Sequence, residues 1–267
     1  MAKWPKLDKI ELAAPVDEDD AYETALKKLQ DRLLHIQLHH LRTGGRTMIG
    51  IEGWDAAGKG GFIQRLLLGL EPRSVFVWRI GPPSQEEISH HYLWRFWQRS
   101  PSKGSWSVFD RSWYGRVLVE RIENFASKAE WKRAYDEINS FERQLTDDGI
   151  RMIKILLHIS KDEQKKRMLA RLNDPDKHYK IGLEDFRNIA KRKEYLEAYD
   201  DMLERTDTKH APWHVVASDD KKRARLDALD IVVEHLGRGI DYKVPPLDPT
   251  IVDAAAKLWG FKADGKK

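Results

Sequence analysis

Residues Met48 to Ile63 read MIGIEGWDAAGKGGFI, and this stretch decides the fold. The apolar run Met48-Ile49-Gly50-Ile51 stops at Glu52-Gly53. A loop of small side chains follows and closes on Gly58-Lys59, and Phe62, Ile63, Leu66 and Leu67 then suit a helix. Strand, glycine-rich loop and helix in this order make a P-loop, in which turned-in backbone N–H groups and a helix N-terminus together cradle phosphate oxygens. Gly53, Ala56, Ala57, Gly58, Gly60 and Gly61 are therefore expected to offer backbone to phosphate, and Lys59 to offer a point charge. An ordinary Gly/Ala-rich turn would not also place a lysine and a helix start correctly. The pattern G-x-x-x-x-G-K-[ST] fails at its last position, where Gly60 replaces a hydroxyl that normally binds Mg²⁺. Asp55, inside the loop, is the obvious substitute ligand.

Working outward, Tyr22 to Leu41 has the spacing of a long amphipathic helix ended by Gly44-Gly45, and Arg46 to Glu52 is the strand that delivers the loop. Val75 to Trp78 reads as a second, buried strand, Trp106 to Phe109 as a third, Met152 to Ile159 as the clearest, and Trp213 to Val216 as the last. Ser84 and Glu87 form the pattern of a capping box for a helix running to Trp97. Further helices are expected over 115–127, 128–147, Asp162–Leu172, Leu183–Thr206 and Lys221–Leu236. Strands alternating with helices indicate an α/β fold with a parallel sheet covered on both faces. One domain should span 21–240. An arm over 1–20 precedes it, and an extension over 241–267 follows, with a short helix at Thr250–Leu258 and disorder from Ala263.

The third strand ends in Asp110-Arg111-Ser112-Trp113-Tyr114-Gly115-Arg116. Open α/β sheets bind ligands outside the carboxyl ends of their strands. Asp110 is thus a candidate second metal carboxylate, with Arg111 and Arg116 on the same rim. Alone, such an Asp would more often cap the next helix. Between Arg167 and Lys180 the chain carries Arg171, Lys177 and Lys180 around the turn Asn173-Asp174-Pro175. A charged loop between helices is ordinarily wet surface, but beside a P-loop it suits a closing lid, expected over about 167–190.

Bulk properties remove other classes. With 41% hydrophobic and 34% charged residues the chain suits a water-exposed globule. No apolar run approaches about 18 residues, so no membrane partner is expected. The first residues lack the apolar core of a signal peptide. Zero cysteines exclude disulfides and thiolate metal sites and fit a cytoplasmic location. A nucleic-acid-binding module is the reading that Trp94–Trp113 and a sequence pI of about 9.0 suggest. It is set aside, because those aromatics fall at core spacing and no nucleic-acid fold signature appears. His90-His91 cannot easily share a metal, since neighbours on a helix point about 100° apart.

Several blocks carry a resemblance. Gly53-Trp54-Asp55-Ala56-Ala57-Gly58-Lys59-Gly60-Gly61, Tyr92-Leu93-Trp94-Arg95-Phe96 and Phe109 to Arg121 resemble the second family of polyphosphate kinases. Leu156 to Gln164, Asp174-Pro175-Asp176-Lys177 and Ala211-Pro212-Trp213 agree, so the similarity runs from about residue 20 to 240. The resemblance implies a thymidylate-kinase-like P-loop kinase fold, three-layer α/β/α with a helical lid. It implies Mg²⁺-dependent phosphoryl transfer between inorganic polyphosphate and purine nucleoside mono- or diphosphates, in a homodimer or homotetramer. Trp54 and Gly115-Arg116-Val117-Leu118 are most similar to the polyphosphate:AMP phosphotransferase subgroup, whose members often carry two fused copies of the domain. On this reading Asp55 and Asp110 hold Mg²⁺, and Lys59 with the loop amides holds the phosphoryl group. Arg111, Arg116, Arg171, Lys177 and Lys180 neutralise the donor chain. A conventional ATP-dependent nucleotide or nucleoside kinase would share most of these parts, and the family blocks are what favour polyphosphate.

Overall fold

The apolar runs become five parallel strands, β1 (Arg46–Gly53), β2 (Val75–Arg79), β3 (Trp106–Asp110), β4 (Ile150–His158) and β5 (Trp213–Ala217), in the order β2-β3-β1-β4-β5. The computed structural model describes residues 4–10, 19–241, 243 and 245–262. The helices are α1 (Asp19–Thr43), α2 (Lys59–Leu67), α3 (Gln85–Ile88), α4 (Trp94–Trp97), α5 (Val119–Ile122) and α6 (Lys128–Asp147). They continue as α7 (Lys161–Leu172), α8 (Leu183–Ala190), α9 (Arg192–Thr206), α10 (Lys221–Gly237) and α11 (Pro249–Trp259). Most of the expected arm and the expected disordered tail lie outside the described residues. Among those described, no helix is long and apolar enough to cross a membrane.

The order makes β1 the central strand, paired with β3 and β4, and sets Ile51 beside Asp110 and Ile155. Helices α2 and α10 pack on one another and on the sheet, with α1 outside on α10, while α6 packs on β4 and α9. Every residue of β1 after Arg46 is buried, as a central parallel strand demands. The strand expected to be buried at Val75–Trp78 is instead an edge strand, with Phe76 and Val77 exposed. It pairs only with β3.

Three predicted helices are interrupted. The Ser84–Glu87 capping box forms as expected, but α3 is one turn long and the chain re-enters helix only at Trp94. The segment 115–127 begins as a 3-10 turn, Trp113–Arg116, before α5. Buried side-chain bonds hold that turn: Trp113 Nε1 and Tyr114 Oη both donate to Glu142 Oε1, at 2.9 and 2.7 Å. The expected helix 183–206 breaks at Lys191, whose ammonium is drawn to Glu123, 2.9 Å away.

Glu142 also pairs with Lys154 in the middle of β4, at 2.8 Å, and both are fully buried. Lys154 donates to Tyr114 Oη and to the Thr206 carbonyl, so its three protons are satisfied. A charged pair is tolerable in the core only with such a set of partners. Its effect is to lock the corner after β3 against α6, β4 and the end of α9.

Candidate active site

Local constraints shape the loop after β1. Gly53 sits at φ 147°, and a Cβ there would lie 2.5 Å from the Leu157 carbonyl oxygen, so only glycine fits beside β4. Trp54 turns into the core, where its Nε1–H donates to His158 Nδ1 at 2.9 Å. Burial, helped by the Arg192 guanidinium, pushes the His158 pKa down to about 4, so the ring is neutral and able to accept. Ala56 holds a left-handed φ of 66°, a strain of about 1–3 kcal/mol that its surroundings must hold in place. Arg167, almost fully buried, does so: its Nη1 donates to the Ala56 and Ala57 carbonyls, and its Nη2 to those of Ser218 and Asp219. The Ser218 hydroxyl also donates to Ala57. Gly58, at φ 110°, begins α2 with no side-chain cap, which leaves the first N–H groups of that helix free for an anion.

Lys59 lies half-buried at the base of the loop. Its ammonium folds back onto the Gly53 and Trp54 carbonyls, at 2.6 and 3.0 Å. Burial lowers its pKa, opposed by the pull of Asp55 and Asp110. The Asp55 carboxylate is 3.3 Å from Arg111 Nη2 and accepts 2.8 Å from Asn188 Nδ2. Arg111 follows β3 at φ 63° and spans from Asp55 to Glu184, 3.0 Å away. The backbone bends there because Ser112 donates from both N and Oγ to buried Glu52, each at 2.7 Å. Asp110 is half-buried and, among the described residues, makes no side-chain hydrogen bond or ion pair.

Mg²⁺ at phosphoryl-transfer sites takes one or two carboxylates and completes its shell with substrate oxygens and water. Asp55 and the unpartnered Asp110 fit that requirement. No cluster of three His, Cys, Asp or Glu able to hold a metal alone occurs among the described residues. The donor set therefore suits a metal that arrives with phosphate.

Two hollows flank the loop. One, of about 290 Å³, is lined by Ala56, Ala57, Gly58, Gly60 and Gly61 of the loop and by Arg171, Lys177 and Lys180. Arg65, Arg167, Lys221 and Arg225 complete its positive wall, and among the described residues no Asp or Glu lines it. Burial and then the Arg167, Arg225 and Arg171 charges press the Lys221 pKa down, although Glu163 opposes them. The other, of about 50 Å³, lies across Asp55 and is lined by Glu52, Arg111, Glu184, Tyr195, Leu118 and Val119, among others.

The structure thus gathers Ala56, Ala57, Gly58, Gly60, Gly61, Arg171, Lys177 and Lys180 around one hollow and places Gly53, Asp55 and Arg111 in the other, while Lys59 and Asp110 line neither. Arg116 joins neither wall. It pairs with Glu120 at 3.1 Å and lies 4.4 Å over the Tyr92 ring. Sequence reasoning missed Lys221 and Arg225, though the run Lys-Lys-Arg-Ala-Arg directly after the last strand was a usable signal. It also missed Gln164, which donates to the Asp55 carbonyl, and Asn188, for which no local pattern exists.

Comparison with known proteins agrees with the geometry. The family described as Polyphosphate kinase 2 matches residues 16–242. The chain is 44% identical over 222 residues to a polyphosphate:AMP phosphotransferase of Acinetobacter johnsonii, covering 83% of this chain and 46% of that one. It is 34% identical over 268 residues to ADP-polyphosphate phosphotransferase 3 of Rhizobium meliloti, covering 99% and 93%. A crystal structure of polyphosphate kinase 2 from Arthrobacter aurescens superposes with a TM-score of 0.88 at 33% identity, covering 96% of this chain and 94% of that one. The chain spans less than half the length of the polyphosphate:AMP phosphotransferases it matches.

Proposed function

The chain belongs to the polyphosphate kinase 2 family, and from that premise we propose that it transfers a phosphoryl group from inorganic polyphosphate to a nucleotide, with AMP as the favoured acceptor. The observation that carries this reading is the wall of cations without acids that opens on the uncapped start of α2. A polyanion satisfies it as no neutral substrate could. Among the described residues, Arg171, Lys180, Lys221 and Arg225 make no ion pair, so a donor chain would supply their counter-charges. The similarity to polyphosphate:AMP phosphotransferases supports AMP, and the similarity to an ADP-polyphosphate enzyme keeps ADP within the test.

The acceptor phosphate has a second pKa near 6 and is largely ionised at neutral pH. It needs no general base, and the obstacle is repulsion between two anions brought into line. The terminal phosphate of the donor lies over the loop amides and Lys59, with the chain running along Arg171, Lys177 and Lys180. The acceptor occupies the hollow across Asp55, where Arg111 is the cation available to its phosphate. An acceptor oxygen attacks the terminal phosphorus as the bond to the bridging oxygen breaks, leaving a chain one unit shorter. Mg²⁺ held by Asp55 and Asp110 would neutralise charge on the group in transit. Because Arg167 ties α7 to the loop, we place the mobile lid at residues 173–190, after that helix. The lid would bring Lys177 and Lys180 to the donor side and Glu184 and Asn188 to the acceptor side. Incubation with AMP, Mg²⁺ and polyphosphate in the absence of ATP should yield ADP. No product from that mixture, with normal turnover from ATP, would overturn the proposal.

A further inference from the structure

Asp55 is held from the opposite side by a chain of neutral groups. Asn188 Nδ2 donates to Asp55 Oδ2 at 2.8 Å, and Asn188 Oδ1 accepts from Tyr195 Oη at 3.0 Å. The ionised carboxylate can only accept, so the amide turns its NH₂ to Asp55, and the Tyr195 hydroxyl anchors the amide by donating to the Oδ1 that remains. Tyr195 is itself buried, edge-on to Trp54 at 6.5 Å. The amide belongs to α8 and the phenol to α9, so the carboxylate of a loop residue is oriented by two helices remote in sequence. One turn before Asn188 on α8, Glu184 holds the Arg111 guanidinium at 3.0 Å, closer than Asp55 does.

These two contacts differ in kind. Arg111 is a full charge and competes with any cation for Asp55, whereas an amide donor takes one lone pair and adds no charge. A metal that displaced Arg111 toward Glu184 would leave the Asn188 bond intact. We propose that Asn188, set by Tyr195, is a positioning residue that presents the Asp55 carboxylate to Mg²⁺. This inference rests on the assignment of Asp55 to the metal. Polar groups that hold metal-binding carboxylates typically change affinity or activity 10–100-fold when removed.

The test measures Mn²⁺ dissociation by electron paramagnetic resonance of the free ion, with the full chain saturated with inorganic polyphosphate and polyphosphate alone as the blank, alongside the Mg²⁺ concentration for half-maximal rate. Asn188→Ala should raise both by about 10-fold or more, with a smaller fall in kcat at saturating Mg²⁺. Tyr195→Phe, which deletes one oxygen, should move both in the same direction by several-fold. Asp55→Ala serves as the reference. If Asp55→Ala removes Mn²⁺ binding while Asn188→Ala leaves both values unchanged, the positioning role falls and the proposed function stands. If Asn188→Ala lowers kcat at every Mg²⁺ concentration without moving either value, its role is structural and the inference is overturned. Should Asp55→Ala bind Mn²⁺ normally, the metal assignment fails and takes the inference with it.

Discussion

The two hollows beside the P-loop are opposites in charge accounting. On one side four cations of the lining, Arg171, Lys180, Lys221 and Arg225, make no ion pair among the described residues, and like charges press on Lys221. On the other, Glu52, Asp55 and Glu184 already surround Arg111, and the space is about 50 Å³ against about 290 Å³. An open cationic wall attracts a polyanion from a distance and holds it with little geometric demand. A small cluster whose one guanidinium is already paired binds only what can exchange partners with it. We therefore expect donor recognition to be electrostatic and tolerant, and acceptor recognition to depend on opening the Arg111–Glu184–Asp55 cluster.

The sharpest break would come from the two charged residues of the P-loop. Lys59→Ala or Asp55→Ala should lower turnover on the order of 10³-fold, with the circular dichroism spectrum unchanged. A well-folded Asp55→Ala enzyme with near-normal turnover would show that the acidic side takes no part in the chemistry.

The turn that carries the chain from Arg111 to Gly115, both of which line the smaller hollow, is held by the buried Glu142–Lys154 pair through Trp113 and Tyr114. Lys154→Met strands a buried carboxylate and should destabilise the chain by about 3–5 kcal/mol, read from denaturant unfolding. In the folded fraction the acceptor KM should rise and the polyphosphate KM should not. An equal rise in both would mean that the hollows are not separately supported.

The sequence disclosed the open hollow far better than the closed one, for a physical reason. The P-loop is a local pattern, and Arg171, Lys177 and Lys180 lie within one short basic stretch, so both were legible. The closed cluster joins Asp55 to Gln164 and Asn188, which are 109 and 133 positions away, and these look like any polar residue on a helix. Arg167 and Arg171 are equally basic and one turn apart and both reach the larger hollow, yet the first is a buried brace and the second is half-buried and makes no ion pair among the described residues. Only packing separates them. Val75–Trp78 shows the same limit: an apolar run announces a strand, but its exposure depends on the order of the strands in the sheet.

Removing cations from the open wall should act on the donor alone. Arg171→Ala with Lys180→Ala should raise the polyphosphate KM by about 10–100-fold, since a charge-assisted hydrogen bond contributes about 1.5–3 kcal/mol in dry sites and less at this exposed rim. The slope of log KM against log salt should become shallower by about 1.4, at roughly 0.7 for each phosphate of a single strand that is no longer neutralised. The AMP KM should hardly move. An unchanged salt slope would refute the electrostatic description of this wall.

The smallest effect tests the wedge between the hollows. His158 accepts the Trp54 N–H only when neutral, and burial holds its pKa near 4 against an ordinary value of 6.5. Between those values the folded chain binds fewer protons than the unfolded one, so stability falls as pH drops through 6.5 and levels off below about 4. From pH 7.5 to 5.5 this one ring costs about 1 kcal/mol. His40 and His235, each also pushed down to about 4 by burial, add to the same slope. His158→Gln keeps an acceptor for Trp54 but cannot titrate. Denaturant midpoints for this variant should lose roughly a third of the acid dependence that the three rings impose. Stability is the right readout because the AMP phosphate titrates near 6 and would confuse any rate measured in that window. If the variant keeps the full acid slope, His158 does not carry a suppressed charge, and the Trp54 side of the loop is held by packing alone.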